Sequence, residues 1–480
     1  MASNSNSKDL IKNILLFGLS NFIPKIMSFL LVPVYTAYLT TADYGTSDII
    51  MTTVSLLLPI FTLDINDAVI RFTIENKQDK RAYAIGVRIY ILGCVALAVV
   101  LGIVAVATEL RLTYLVLLFV LFAVSGDYQL KVAYLRAMER VSFLSLCTIV
   151  CNFVTLVANV LFIVVFRFGV YGFISSSIVG YFTVNAIVFV KYHKEHRALF
   201  SIPFKPNLAY TKEMLTYSTP LILSGIAWWI TSSSDRYVLS WLIGVSATGI
   251  YSVASKIPSI LQMVQSVFTP AWNLKVYNIY KNEDGMEYFG KIYDLYNFVL
   301  VFACSGLIFL DKPLAKFMFS NEFYAAWKYV PVLLISVVLL SVNACSGVMF
   351  GVYKQSQLSA KGSIINMCLN TCLNFILVYL IGIQGAAIAT LCSYAFSWCF
   401  NWYHIRKMCT IPVNLKKSVI MYILLGVEAL IVLHIPQFWL SGIVVLILAA
   451  MNYQQVVSLI RSGIGYVQEL SMKLKSMYER

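Results

Sequence analysis

Residues 11–38 read IKNILLFGLSNFIPKIMSFLLVPVYTAY, a long apolar run whose only charges are Lys12 and Lys25. A helix needs roughly 20 apolar residues to cross the hydrocarbon core, so this stretch predicts a membrane span. It is too long for the apolar region of a signal peptide and no A-x-A-like cleavage site follows, so we read it as a retained helix. Thirteen comparable stretches follow, at about 46–70, 82–107, 112–135, 143–166, 170–191, 214–236, 242–270, 293–310, 328–352, 360–380, 384–404, 418–434 and 438–460. Lys and Arg collect in cytoplasmic loops. Assigning the N-terminus and every second loop to that side places 27 of the 36 Lys and Arg residues there. Only Arg111, Arg167, Arg236, Lys312, Lys316 and Lys328 fall in the opposite loops, and Lys25, Arg88 and Lys256 lie inside spans. The expectation is an all-α integral membrane protein of about fourteen transmembrane helices, multi-pass in the cytoplasmic (inner) membrane, with both termini cytoplasmic.

Composition agrees. A chain that is 60% hydrophobic and only 12% charged is not a soluble globular protein. Its net charge of +14 is spread over the inner loops, which suits anionic membrane lipids and excludes a nucleic-acid patch. The ten cysteines lie almost entirely within spans, with no C-x-x-C pair and no metal-ligand spacing. They read as small buried hydrophobes. His193-x-x-His196, after the sixth span, reads as part of a solvated basic loop. Neither a metal nor a cofactor is expected.

The chain repeats itself. Leu19-Ser-Asn-Phe-Ile-Pro24 in the first span resembles Leu215-Thr-Tyr-Ser-Thr-Pro220 in the seventh. Gly169-Val-Tyr-Gly172 precedes the sixth span and Gly382-Ile-Gln-Gly385 the twelfth. Upstream of each lies a polar stripe, Asn152, Thr155 and Asn159 in the fifth span and Asn366, Asn370 and Asn374 in the eleventh. An offset of six helices keeps both halves in one orientation, and transporters built from such parallel repeats bind their substrate between the halves. The expected organisation is an N-terminal lobe with its linker (1–212), a pseudo-symmetric second six-helix lobe (213–410) and two added helices with a tail (411–480). The linker, about 192–212 with Pro203 and Pro206, suits a rocking motion.

Charges inside the membrane are the functional signal, since each costs roughly 2.5–3.5 kcal/mol at the bilayer centre on insertion scales. Lys25 shares a helix face with Ser20, Asn21, Pro24 and Ser28. Lys256 belongs to a stripe of Ser252, Ser255, Ser259, Gln262 and Ser266, next to Pro258. Asp48, Thr52, Ser55, Pro59, Thr62 and Asn66 form another stripe, and Arg88 is a third intramembrane cation. Hydroxyl stripes alone serve as interhelical glue worth about 1 kcal/mol per bond. Glue does not require a full charge, so Lys25, Lys256 and Arg88 are the candidate ligands of an anionic group. Ser20, Asn21, Ser28, Thr52, Ser252, Ser255 and Ser259 are the candidate polar lining of the cavity. Among the acids, Asp127 and Asp67 precede Lys131 and Arg71 by four residues and suit helical ion pairs. Asp64 and Glu428 lack such partners in sequence and are candidates for ion coupling. Trp228, Trp229, Trp272, Tyr35 and Tyr251 could stack on sugars, but the membrane-interface belt is the expected place for most of them.

At this point the sequence is identified with a family. Asn13 to Ile49, with Pro24, Pro33 and the turn Ala42-Asp-Tyr-Gly45, resembles the opening of bacterial polysaccharide-biosynthesis flippases. Ala68-Val-Ile-Arg-Phe72 and Gly385-Ala-Ala-Ile-Ala-Thr390 resemble the same family, the O-antigen and capsule repeat-unit translocases of the multidrug/oligosaccharidyl-lipid/polysaccharide superfamily. The resemblance implies a MATE-like fold of two six-helix lobes that passes an undecaprenyl-pyrophosphate-linked glycan from inner to outer leaflet. It also implies cationic cavity residues for the pyrophosphate, an ion gradient for resetting, and a polysaccharide polymerase with its chain-length machinery as partners. Lys25 falls where lipid II flippases of the superfamily carry an Arg. Helices beyond the twelfth form a lipid-tail groove in some members, a role open to the last two spans here.

The nearest alternative is a multidrug and toxin exporter of the same fold, which uses cavity acids for cations. The first span has no acid between Asp9 and Asp43, and Lys25 there repels a cation. An enzyme is disfavoured because the longest outer loop, about 311–327, holds no His or Arg.

Overall fold

The computed structural model describes residues 24–192, 208–281, 284–435, 437, 439–457 and 461. Ser20, Asn21, His193, His196, Pro203 and Pro206 lie outside the described residues. The chain is an all-α membrane fold, and every predicted span with described residues coincides with helix. Among the described residues, ten helices are long and apolar enough to cross a membrane. They run Thr41–Phe61, Arg81–Ala107, Leu112–Ala137, Val141–Val165, Gly169–Lys191, Gly285–Phe309, Val330–Val352, Ser356–Ile381, Ile383–Met408 and Leu415–His434. Val245–Ala254 and Trp439–Met451 are shorter apolar helices.

Three boundaries differ from the hydropathy reading, each for a local reason. The 46–70 stretch breaks into Thr41–Phe61 and Ile65–Glu75, because Leu63 and Asp64 turn into the left-handed region at φ 53° and 49°. Helical hydrogen bonding lapses there, and the Asp64 amide reaches back to the Pro59 carbonyl at 3.0 Å. The 242–270 stretch breaks at Ser255–Pro258, between Val245–Ala254 and Ser259–Ile279. Pro258 has no amide hydrogen to give and disfavours helix in the residue before it. Lys256 therefore sits in an unwound turn. Finally, Leu208–Leu242 continues through Asp235 and Arg236, so Arg236 belongs to a helix and not to an outer loop.

The two G-x-x-G motifs open helices as the sequence suggests. Gly169 (φ 55°) and Gly382 (φ 67°) adopt the left-handed backbone that lets the chain reverse between two long helices.

The chain forms two compact units. The first comprises residues 1–256, 317–326 and 371–386. Part of its core joins Ile65, Val69 and Phe72 to Ile85, Leu130 and Met214, with Tyr210 and Tyr217 packed against it. A second cluster packs Val54 and Leu58 against Leu97, Phe122 and Ile174. The second unit comprises 257–316, 327–370 and 387–480. At its heart Val330–Val352 is buried along 83% of its span window, and its few polar side chains are bonded inside the unit, Ser341 to Gln265 and Asn343 to the Tyr394 carbonyl. Beside it Trp398 and Trp402 both donate their indole N–H to the Tyr293 hydroxyl, at 3.0 and 3.1 Å.

Candidate functional site

The most charged buried region of the described residues lies in the first unit, where Thr41–Phe61 meets Leu208–Leu242 and Val245–Ala254. Thr40 and Asp43 form a reciprocal capping box that starts the first of these helices at Thr41. One turn later Gly45 lies against the backbone of Val245, and Gly249 against that of Thr41. A Cβ on either glycine would collide with the facing carbonyl, so the two backbones touch directly.

This approach sets Asp48 against the other two helices. Its Oδ2 accepts from Arg236 Nε at 2.6 Å and from the Ser252 hydroxyl at 2.7 Å. Arg236 Nη1 also donates to the Ser232 carbonyl at 3.0 Å. Lys256, one turn beyond Ser252, lies within electrostatic reach of both Asp48 and Arg236. Arg236 is thus the cation paired with Asp48, and Lys256 lies in the same electrostatic neighbourhood. The adjacent Asp235 is only 3% exposed, and its oxygens accept from the Tyr251 hydroxyl at 2.6 Å and the Asn374 amide at 2.5 Å. Thr248 ties the pieces together by donating to the Arg236 carbonyl at 2.9 Å. Around the rim, Trp229 donates to the Thr52 carbonyl and the Ser55 hydroxyl, and Thr53 pairs with the Tyr237 hydroxyl.

Of the residues singled out by sequence, Ser252 bonds Asp48 and Lys256 lies within its electrostatic reach. Thr52 donates its hydroxyl to the Asp48 carbonyl, and Ser255 donates to the Tyr251 carbonyl at 2.9 Å. Ser259 begins the helix after the unwound turn. Lys25 is half-buried in helical residues 24–30, where Ser28 is exposed, and Arg88 is half-buried two turns into Arg81–Ala107. Asp64 is half-buried at the break before Ile65–Glu75. Glu428 is fully buried in Leu415–His434 and accepts from the Ser305 hydroxyl of Gly285–Phe309 at 2.6 Å.

The helical pair Asp127–Lys131 forms as expected, at 2.6 Å. The pair Asp67–Arg71 does not. Arg71 lies over the Tyr217 ring at 4.5 Å and bonds forward to Glu75 at 3.4 Å, leaving Asp67 exposed. The belt expectation also needs correction. Trp228 is exposed, but Tyr35, Tyr251 and Trp272 are buried, and Trp272 donates to the Cys345 carbonyl at 2.9 Å. The cysteines are all free, four of them buried and four exposed on the protein surface, so small-hydrophobe burial describes only some.

Sequence reading missed Arg236 and Asp235. A signal was available, because Ser232, Asp235, Arg236 and Leu239 keep helical spacing beyond the point where the cation was taken to end the span.

Comparison with known proteins supplies a family. The model of a family described as "Polysaccharide biosynthesis protein" matches residues 10–272, more than half of the chain. A probable low-salt glycan biosynthesis flippase, Agl15 of Haloferax volcanii, is 24% identical over 274 residues, covering 52% of this chain. The chain spans 57% of the length of that curated relative. Among solved structures, the lipid II flippase MurJ in its inward closed conformation superposes with a TM-score of 0.69 at 15% identity, covering 92% of this chain and all of that one. An inward-facing multidrug resistance MATE transporter of the MOP superfamily gives 0.60 at 15% identity, covering 81% and 98%. These likenesses concern the fold.

Proposed function

Because the chain belongs to the polysaccharide biosynthesis protein family, we propose that it is a transporter rather than an enzyme. It flips an undecaprenyl-pyrophosphate-linked oligosaccharide, an O-antigen or capsule repeat unit, from the inner to the outer leaflet of the cytoplasmic membrane. The resemblance to a glycan flippase over half the chain supports this reading. The observation that carries it is Lys256, a cation in the turn Ser255–Pro258 that breaks the 242–270 apolar stretch, one turn beyond the Ser252 hydroxyl that bonds Asp48. Broken transmembrane helices recur at transporter binding sites because the unwound backbone and a polar side chain serve the same ligand.

Lys256, Lys25 and Arg88 hold the diphosphate and acidic sugars, with the neighbouring hydroxyls lining the path. The lobes, 1–212 and 213–410, rock about this site in alternating access, and 411–480 adds the last two helices. Asp64, at a helix break, and Glu428, a buried carboxyl bonded to a neutral hydroxyl, are the groups through which an ion would reset the cycle. Both termini are cytoplasmic, and a polysaccharide polymerase with its chain-length machinery receives the product. A cation exporter of the same fold is the alternative reading. It requires acids facing the cargo, whereas Asp48 is engaged by Arg236 and Ser252.

The test replaces Lys25 and Lys256 singly by Ala and by Arg in a strain lacking the chromosomal copy. Surface polysaccharide falls to background with each Lys→Ala variant at normal expression and recovers at least in part with Arg. Full polysaccharide from both Ala variants would refute the assigned roles.

A further inference from the structure

We propose that Arg236 is a fourth anion-recognition residue, and that Asp48 is an internal stand-in for the anionic headgroup, occupying the site until cargo displaces it. This rests on the reading that the cargo carries a diphosphate.

The donors gathered at Asp48 are those a diphosphate needs. A guanidinium and a hydroxyl converge there from Arg236 and Ser252, with the Lys256 ammonium within electrostatic reach. Arg236 has five N–H donors, of which Nε goes to Asp48 and one on Nη1 to the Ser232 carbonyl. Its fork suits phosphate oxygens as well as a carboxylate.

The two acids of the cluster differ in how firmly they are held. Asp235 is 3% exposed and has both oxygens bonded by Tyr251 and Asn374, so it is a fixture. The Asp48 and Arg236 side chains keep 21% and 19% exposure, so solvent or an incoming group can reach the pair.

Connectivity makes Asp48 the removable partner. Arg236, Ser252 and Lys256 form one piece, because Thr248 bonds the Arg236 carbonyl and Tyr251 bonds Asp235. Asp48 comes from a different helix, Thr41–Phe61, which meets that piece backbone to backbone at Gly45 and Gly249 and otherwise through uncharged side-chain bonds, Trp229 to Thr52 and to Ser55 and Thr53 with Tyr237. Separating the two surfaces takes away the carboxylate and leaves the cations grouped. A diphosphate carries more charge than one carboxylate and competes for both cations, whereas a neutral or cationic cargo cannot. Asp48 therefore sets specificity by giving way only to an anion.

The experiment measures binding of inorganic pyrophosphate to the full chain in nanodiscs by calorimetry, with orthophosphate as control. The wild type binds pyrophosphate, Asp48→Asn binds it about tenfold tighter, and adding Arg236→Gln to Asp48→Asn abolishes that gain. Lys256→Ala weakens binding in either background. Unchanged affinity in a folded Asp48→Asn variant overturns the proposal while leaving the cargo reading intact, provided that Lys256→Ala still weakens binding. Absence of pyrophosphate binding by the wild type and by every variant overturns both. Asp48→Ser keeps a hydroxyl acceptor for Arg236 and gives the same comparison should Asp48→Asn not fold. If neither single variant folds but the double Asp48→Asn/Arg236→Gln does and binds pyrophosphate as the wild type does, Arg236 is structural and the proposal falls.

Discussion

Asp127–Lys131 and Asp48–Arg236 are ion pairs of equal length, 2.6 Å, and both lie within helices of a membrane protein. They differ in what they connect. The first joins two turns of one helix, and Lys131 also donates to the Asn185 carbonyl of Gly169–Lys191. Its partners cannot part while that helix exists. The second spans 188 residues of sequence and joins two separate helices, Thr41–Phe61 and Leu208–Leu242. Its partners stay together only as long as those helices do. Equal geometry therefore supports unequal roles: a helical pair neutralises charge, whereas an interhelical pair can also report on helix separation.

The largest effect is expected at Arg236. Arg236→Gln leaves Asp48 without its cation and should cost about 2–3 kcal/mol in thermal unfolding of the purified protein. Breaking a fully buried pair costs about 3–5 kcal/mol, and residual exposure softens the loss here. Surface polysaccharide should fall to background as well. Export at the wild-type level from a folded Arg236→Gln variant would erase the distinction between the two pairs.

A smaller effect is expected at the helical pair. Lys131→Gln combined with Asp127→Asn should cost about 1 kcal/mol and leave export intact, because both charges of the pair lie on one helix and the new Gln amide keeps a donor for the Asn185 carbonyl. Double-mutant cycles sharpen the contrast: the coupling energy of 48 with 236 should exceed that of 127 with 131. Equal couplings would contradict it.

The smallest effect is expected for a pair in water. In the loop before Arg81–Ala107, the Arg81 side chain bonds Asp79 and holds its carboxyl below the usual carboxylate range. A lowered carboxyl contributes stability that is present above the unfolded-state value of about 3.9 and is lost as pH falls through the folded-state value. Asp79→Asn should cost only a few tenths of a kcal/mol at neutral pH, as surface pairs do. It should also remove the part of the acid-induced destabilisation seen below about pH 4. A variant whose acid profile matches the wild type would show that this pair contributes nothing.

The same contrast explains what could be read from the sequence. Hydropathy located the helices because burial in lipid requires long apolar runs, and the repeated G-x-x-G motifs lay just ahead of two spans, where Gly169 and Gly382 take the left-handed backbone. Asp127–Lys131 was legible because helical spacing is a local property. The breaks at Leu63–Asp64 and Ser255–Pro258 interrupt runs that stay apolar, so hydropathy passes over them. Asp48–Arg236 left no local trace, and counting cations as loop markers moved Arg236 out of its helix. The Asn stripes show the limit equally well. Asn152 and Asn159 bond carbonyls four residues back on their own helix, whereas Asn370 reaches Ser393 and Asn374 reaches Asp235. Similar helical spacing in sequence gave no sign of which stripe would bond to another helix.

The contact between Gly45 and Gly249 bears on speed as much as on affinity. Two surfaces that meet through side chains must change rotamers to separate and find them again to close. Where the glycines meet, the surfaces present only backbone, which has no rotamers to rearrange. At that point the helices can part and return without rearranging rotamers, so the timing of release falls to the side-chain bonds around it: Asp48 with Arg236, Trp229 with Thr52 and Ser55, and Thr53 with Tyr237.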